Sequence, residues 1–213
     1  MTWTESTRNT GPSVPGSSDD DEVLILASQS ARRRELLAEA GYRFQVVPSS
    51  VDESAFPAAG LDAADYAGRL ASAKAMEVAA RFPRRWVIGA DTVVDCDGLI
   101  IGKPEDAVEA EQIVRRLFSR PHKVITAVAI VRQVEGLQRV AKDTTVVYPR
   151  PMSEEQIARH IQGGTWQGKA GAYAIQETGD DFVERLDGSL TNVVGLPMEL
   201  LAQMLLDAGY QAK

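Results

Sequence analysis

The chain has little of what several common chemistries require. A single cysteine in 213 residues, Cys96, excludes a disulfide within the chain and fits a reducing compartment. Two histidines beside that one cysteine provide no zinc-type cluster. Basic residues are outnumbered, 23 Lys and Arg against 30 Asp and Glu, for a net charge of −7. General nucleic-acid binding does not suit that balance, although a local basic patch can still receive a small anion. No apolar run approaches the ~20 residues of a membrane span. No P-loop motif is present, which argues against ATP-driven work.

What remains is 44% hydrophobic and 25% charged, the composition of a globular protein. Residues 1–21, "MTWTESTRNTGPSVPGSSDDD", are rich in Ser, Gly, Pro and Asp and read as a disordered tail. They lack the apolar core of a signal peptide, and their acidic end does not suit a transit peptide. Residues 22–213 are expected to form a single domain.

Within it, strand-like and helix-like stretches alternate, which implies an α/β fold. "VLIL" is a strand and "ARRRELLAEA" a helix stopped by Gly41. "LDAADYAGRLASAKAMEVAARFP" is a helix ending before Pro83, and "PEDAVEAEQIVRRLF" is a helix with Pro104 near its first turn. "SEEQIARHIQ" is a short helix capped by Ser153, with Gln156 three residues on. "KVITAVAIVRQ" and "LQRVAKDTTVVYP" pair around Glu135-Gly136. "VVDCDGLIIGKP" and "VERLDGSLTNVVGLP" both read as strand, Asp-Gly turn, strand, Gly-x-Pro, helix. The echo suggests two similar lobes, though two such hairpins also arise by chance.

Three arginines stand where helix electrostatics disfavours them. Arg32, Arg33 and Arg34 occupy a first helical turn, whose free N–H groups are already partly positive. Arg33, Leu36, Leu37 and Ala40 share one face, so Arg33 extends the inward stripe while Arg34 turns to water. Arg32 and Arg33 repel each other unless a multiply charged anion sits between them. Phosphate suits their forked donors, and a strand, a small polar loop and a helix N-terminus make an anion site. The plainer reading leaves all three as solvated surface charges.

Asp91 raises a second question. A carboxylate inside "WVIGADTVV" is costly to bury unless paired, hydrogen-bonded or bound to metal. It is either a strand-end Asp held by backbone N–H groups or a metal ligand or general base. Strand alternation sends Asp91 and Thr92 to opposite faces, so sharing one site requires the strand to end or bend, which Gly89 allows. Lys74 falls on the apolar stripe of Ala67, Leu70 and Val78, where snorkelling is the ordinary explanation. Lys103 precedes Pro104 at a helix start, Glu53 sits in a polar loop, and Lys169 lies in a Gly-rich stretch where backbone can approach a ligand.

Taken in order, "LILASQSARRRELL", "VDES", "RLASAKA", "VIGADTVV", "GKPEDAVEA", "DTTVVYPRPMSEEQI", "GKAGAYAIQ" and "FVERLDGSLTNVVGLP" resemble the Maf family from Leu24 to Leu205. The resemblance implies an elongated mixed β-sheet flanked by helices, with two lobes around a cleft, similar to inosine triphosphate pyrophosphatases. It implies a cytoplasmic, homodimeric nucleoside triphosphate pyrophosphatase that cleaves between the α- and β-phosphates and requires a divalent metal, Mg²⁺ or Mn²⁺. By motif, Ser30, Arg32 and Arg33 would hold the phosphates, and Glu53, Lys74 and Lys103 would line the catalytic cleft. Asp91 would accept the proton, and Thr92 and Gln176 would read the base. Asp91 and Glu53 are the expected metal ligands, since hard cations prefer oxygen. The family loop reads Ser-Pro-Arg-Arg; Ala31 here replaces the proline. Ala90-Asp91-Thr92 with Ile175-Gln176 resembles the dTTP/UTP branch. The alternatives are the 7-methyl-GTP branch and a non-catalytic nucleotide-binding regulator of cell division, which would not need Asp91.

Overall fold

The computed structural model describes residues 23–175 and 182–211. The proposed tail and Gln176 lie outside them. Among the described residues, seven strands form one mixed sheet, ordered β2-β1-β3-β5-β6-β7 with β4 also paired to β3. The strands are β1 (Leu24–Leu26), β2 (Phe44–Val46), β3 (Val87–Cys96), β4 (Leu99–Ile101), β5 (His122–Arg132), β6 (Leu137–Pro149) and β7 (Val183–Asp187). β1 runs parallel to β2 and β3, whereas the β3–β4, β3–β5, β5–β6 and β6–β7 pairs are antiparallel.

Helices cover both faces. α1 (Ala31–Glu39) and α6 (Met198–Asp207) pack Leu36, Leu37, Leu201 and Leu205 onto Leu24, Leu26, Ile88 and Ile130. On the opposite face α2 (Ala63–Arg81) lays a stripe of small residues, Ala67, Ala71 and Ala75, against Val87, Val93, Ala127 and Ala129. Small side chains let helix and sheet approach closely, and Gly89 carries this to its limit. A Cβ there would lie 2.4 Å from the Ala71 carbonyl oxygen and 2.8 Å from the Ala75 nitrogen. At the far end of β3 and β5, α3 (Ala107–Leu117) and α4 (Glu154–Gln162) close a third core around Val94, Leu117, Val124 and Trp166. Residues of all three cores, Val194, Ala27 and Val124 among them, border the cleft described below.

Three local expectations change. First, β3 neither ends nor bends: nine consecutive pairs, Val87↔Val131 to Asp95↔Lys123, hold it to β5. Gly89 serves helix packing instead of a bend. Second, "SLTNVVG" is not a return strand. After Asp187-Gly188, Ser189 caps a short helix, α5 (Leu190–Val194), by accepting from the Asn192 N–H. The echo of the two Asp-Gly segments therefore ends at the turn, and it does not describe two matching hairpins. Third, α3 starts beyond Pro104, at Ala107, because the Asp106 side chain accepts from the Glu109 N–H and fixes the first turn there. Ser153 and Gln156 do form the expected reciprocal cap on α4.

Candidate active site

The cleft exists because two short strands share one edge of a long one. β1 pairs with β3 only at Val87 and Ile88, and β4 begins only at Val94. Between them the β3 edge from Ala90 to Val93 carries no strand among the described residues. Trp86 and Ile88 carbonyls accept from the Ile25 and Ala27 N–H groups, each at 2.8 Å. The next carbonyl on that edge, Ala90, has lost its β1 partner. A cavity of about 590 Å³ opens here, lined by the residues after β1, the start of α1, Glu53, Lys74 and the Gly168–Tyr173 stretch. Crevices beyond the ends of parallel strands are where open α/β sheets hold ligands.

The gap explains how Asp91 and Thr92 both reach the cleft from opposite faces of an unbroken strand. They approach it around a strand edge that neither β1 nor β4 covers. Asp91 points toward α2 and is 6% exposed. Lys74 Nζ donates to its Oδ1 at 2.6 Å and lies 2.8 Å from Glu53 Oε1. Lys103 Nζ reaches Glu53 Oε2 at 3.4 Å. The result is a row of alternating charge, Asp91–Lys74–Glu53–Lys103, running from buried to open. Burial pushes the Asp91 carboxyl above its ordinary range, against the opposing pull of Lys74 and Arg33. Glu53 goes the other way: burial alone would raise it, but the hydrogen bond and charge of Lys74, with Lys103 behind, hold it low. Two carboxylates in one site with pKa values pushed apart are the arrangement that separates a proton acceptor from a permanent charge.

Arg33 answers the question its position posed. Arg33 is half-buried, and four of its five N–H donors meet protein oxygens. Nε donates to the Gly195 carbonyl at 2.7 Å, Nη1 to Ser28 Oγ and the Ala90 carbonyl at 3.0 Å each, and Nη2 to Thr92 Oγ1 at 3.1 Å. The orphaned Ala90 carbonyl is thereby satisfied by a side chain in place of a strand. Burial lowers the Arg33 pKa, with Asp91 opposing and Arg32 adding to the effect. What Arg33 holds directly is the loop before α1, fixed to β3 and to the end of α5. Ser30 caps α1 by accepting from the Arg33 N–H at 3.4 Å, and Arg34 is exposed.

Of the residues singled out by sequence, Ser30, Arg32, Arg33, Glu53, Lys74, Asp91, Thr92, Lys103 and Lys169 all border this one cavity. Gln176 lies outside the described residues, one position after Ile175, which also borders it. Sequence reasoning missed Ser28, Thr126, Tyr173, Asn192 and Gly195. Asn192 had a usable signal: a carboxamide inside "LTNVVG" has to be hydrogen-bonded when buried. Among the described residues no group of three or more His, Cys, Asp or Glu is placed to hold a metal. Asp91 and Glu53 alone fit a cation of the magnesium kind, which takes one or two carboxylates and completes its shell with substrate phosphates and water. Lys74 engages only one oxygen of Asp91.

A mixed-sheet α/β protein with an acid–lysine row at a strand-edge cleft is thus defined by its own geometry. Residues 23–208 match the family described as Maf-like protein, and the chain belongs to that family. A dTTP/UTP pyrophosphatase of Geobacter metallireducens is 46% identical over 179 residues, covering 84% of this chain and 92% of that one. One from Symbiobacterium thermophilum is 46% identical over 189 residues, covering 89% and 95%, and one from Myxococcus xanthus 43% over 190 residues, covering 89% and 94%. Among solved structures, a HAM1 protein from Coxiella burnetii aligns with a TM-score of 0.45 at 14% identity, covering 86% of this chain and 98% of that chain.

Proposed function

We propose that this chain is a nucleoside triphosphate pyrophosphatase acting on dTTP and UTP, which it hydrolyses to the nucleoside monophosphate and pyrophosphate. The observation that carries the reading is the buried Asp91, held against Lys74 at the inner end of a basic cleft. Relatives named for that activity cover nearly the same span of sequence.

Arg32, Ser30 and the N–H groups at the start of α1 receive the phosphates, and Arg33 keeps that loop in place. Asp91, with its raised pKa, takes the proton of the attacking water. Lys74 holds Asp91 in position, and Lys74 with Lys103 stabilises the charge that develops on the departing pyrophosphate. A divalent cation, Mg²⁺ or Mn²⁺, held by Asp91 and Glu53 would neutralise phosphate charge. Thr92, Lys169 and Gln176 belong to substrate binding in this reading, with Thr92 and Gln176 at the base. The family resemblance further supports a cytoplasmic homodimer.

The test is pyrophosphate release from UTP, dTTP, CTP, GTP and 7-methyl-GTP, with and without Mg²⁺, by the wild type and by Asp91→Asn. Asn is nearly isosteric but accepts no proton. The reading expects UTP and dTTP to be best and the variant to be inactive while still binding nucleotide. Near-wild-type turnover by Asp91→Asn defeats the assignment, and preference for 7-methyl-GTP defeats the branch.

A further inference from the structure

Beneath the Thr92 side of the cleft runs a hydrogen-bond chain whose direction is fixed by its ends. Asn192 of α5 is fully buried. Its Oδ1 accepts from the Thr126 N–H at 3.1 Å, and its Nδ2 donates to the Val124 carbonyl at 3.0 Å and to Thr145 Oγ1 at 2.9 Å. A flipped amide would set donor against donor and acceptor against acceptor, so its orientation is unique. The Asn192 carbonyl accepts from Thr126 Oγ1 at 2.9 Å. A hydroxyl has one proton, and Thr126 has spent its own on that carbonyl. Thr92 Oγ1 and Thr126 Oγ1 are 2.9 Å apart, so Thr92 must be the donor between them. Arg33 Nη2, which can only donate, supplies Thr92 with a further bond at 3.1 Å. The Thr92 hydroxyl therefore turns no proton toward the cleft; it has only an accepting lone pair left to give.

The charged row lies on the α2 side of β3, whereas Val94, Val124, Ile175 and Val193 line the cleft on the Thr92 side, the face suited to a nucleobase. We propose that Thr126 and Asn192 are specificity-determining positioning residues: they fix the proton on Thr92 so that it accepts only, and thereby favour a base that presents a ring N–H. Uracil and thymine carry N3–H at the position where cytosine carries a lone pair. A cytosine ring placed there sets lone pair against lone pair, and Thr92 has no free proton with which to adapt. The inference rests on the pyrimidine triphosphatase reading above and deepens it.

Thr126→Val removes the acceptor of the Thr92 proton at nearly constant volume and frees Thr92 to donate. The kcat/KM ratio for UTP over CTP is expected to fall at least about fivefold, mostly by a gain on CTP relative to UTP, as expected when a buried polar mismatch is relieved. Thr126→Ser restores the hydroxyl and should restore the wild-type ratio. Should Thr126→Val fail to fold, Thr126→Cys, whose thiol is a weak acceptor, makes the same prediction. A merely structural role would lower both substrates together, so an unchanged ratio in a folded Val or Cys variant overturns the proposal. A wild type that hydrolyses neither UTP nor dTTP overturns the functional reading and this inference with it, whereas preference for UTP with an immovable ratio overturns the inference alone.

Discussion

Lys74 and Asp91 form an ion pair at 2.6 Å in which the two side chains are only 10% and 8% exposed. A buried pair of this kind contributes little relative to an apolar replacement, but breaking it by removing one partner is costly. Its presence at a cleft is better explained by chemistry than by stability.

Removing Lys74 alone should therefore be worse than removing both charges. Lys74→Met leaves Asp91 buried without its main partner and is expected to cost about 3–5 kcal/mol near neutral pH. The penalty has a pH sign. The folded Asp91 pKa, already raised by burial, rises further without Lys74. A raised folded pKa means relative stability at low pH that is lost as pH rises through it. Urea midpoints of the variant should thus move toward the wild type on acidification, and Lys74→Met/Asp91→Asn should regain most of the loss at neutral pH. If the double variant is no more stable than the single one, Asp91 is not the source of the cost. Both variants should be inactive.

Arg33 and Arg34 are adjacent in sequence and should behave as opposites. Arg33→Ala leaves the Ala90 and Gly195 carbonyls short of a donor and unpins the loop before α1. Losing a charged hydrogen-bond partner costs about 1.5–3 kcal/mol, and several are lost here. Arg33→Lys should rescue little, because an ammonium does not reproduce the fork that reaches four oxygens. Arg34→Ala should fall within about 0.5 kcal/mol of the wild type. Thermal melts of the three variants decide it; equal small shifts would return Arg33 to the surface.

The inward turn of Arg33 and the outward turn of Arg34 were legible from helical spacing, and Lys74 stood out on its apolar stripe. The meeting of Asp91 and Thr92 was not legible. Alternation correctly sends them to opposite faces, but no local pattern tells where β1 stops alongside β3 or where β4 starts. Those two pairing limits open the edge that both residues reach. The return strand after Asp187-Gly188 failed for a related reason. "SLTNVVG" has strand-like composition, yet the Ser189 cap and the burial of Asn192 between β5 and β6 contacts make it helical. Tertiary partners outvoted local propensity there. Thr126, Asn192 and Gly195 join the site only through such long-range contacts.

Gly89 sits where the α2 backbone presses on β3, and its strand conformation is open to any residue. Gly89→Ala should therefore act by overlap alone, with the new Cβ meeting backbone atoms that have no rotamer to change. Overpacking of this kind costs about 1–3 kcal/mol. Because α2 carries Lys74, activity should fall further than stability predicts. Urea denaturation together with kcat at saturating UTP checks both; a variant as stable as the wild type would mean that α2 lifts freely from the sheet.

His122 gives the molecule an acid limit. It is 2% exposed, its Nε2 lies 2.9 Å from the Tyr173 hydroxyl, and its ring meets that of Tyr173 edge-on at 5.7 Å. Burial lowers its pKa, partly opposed by the carbonyls of Arg120 and Leu117. Between the lowered folded value and the ordinary value of about 6.5, the unfolded chain binds more protons than the folded one. Stability due to this group is thus complete above about pH 6.5 and declines as pH falls toward the folded pKa, by at most about 1.4 kcal/mol per pH unit. His122→Asn should lower stability at pH ~8 through lost packing and flatten the fall that begins below about pH 6.5. Tyr173 borders the cleft, so the acid loss should reach turnover before global unfolding. Urea midpoints across that range, measured on both proteins, test the assignment: parallel profiles would place the acid sensitivity on another group.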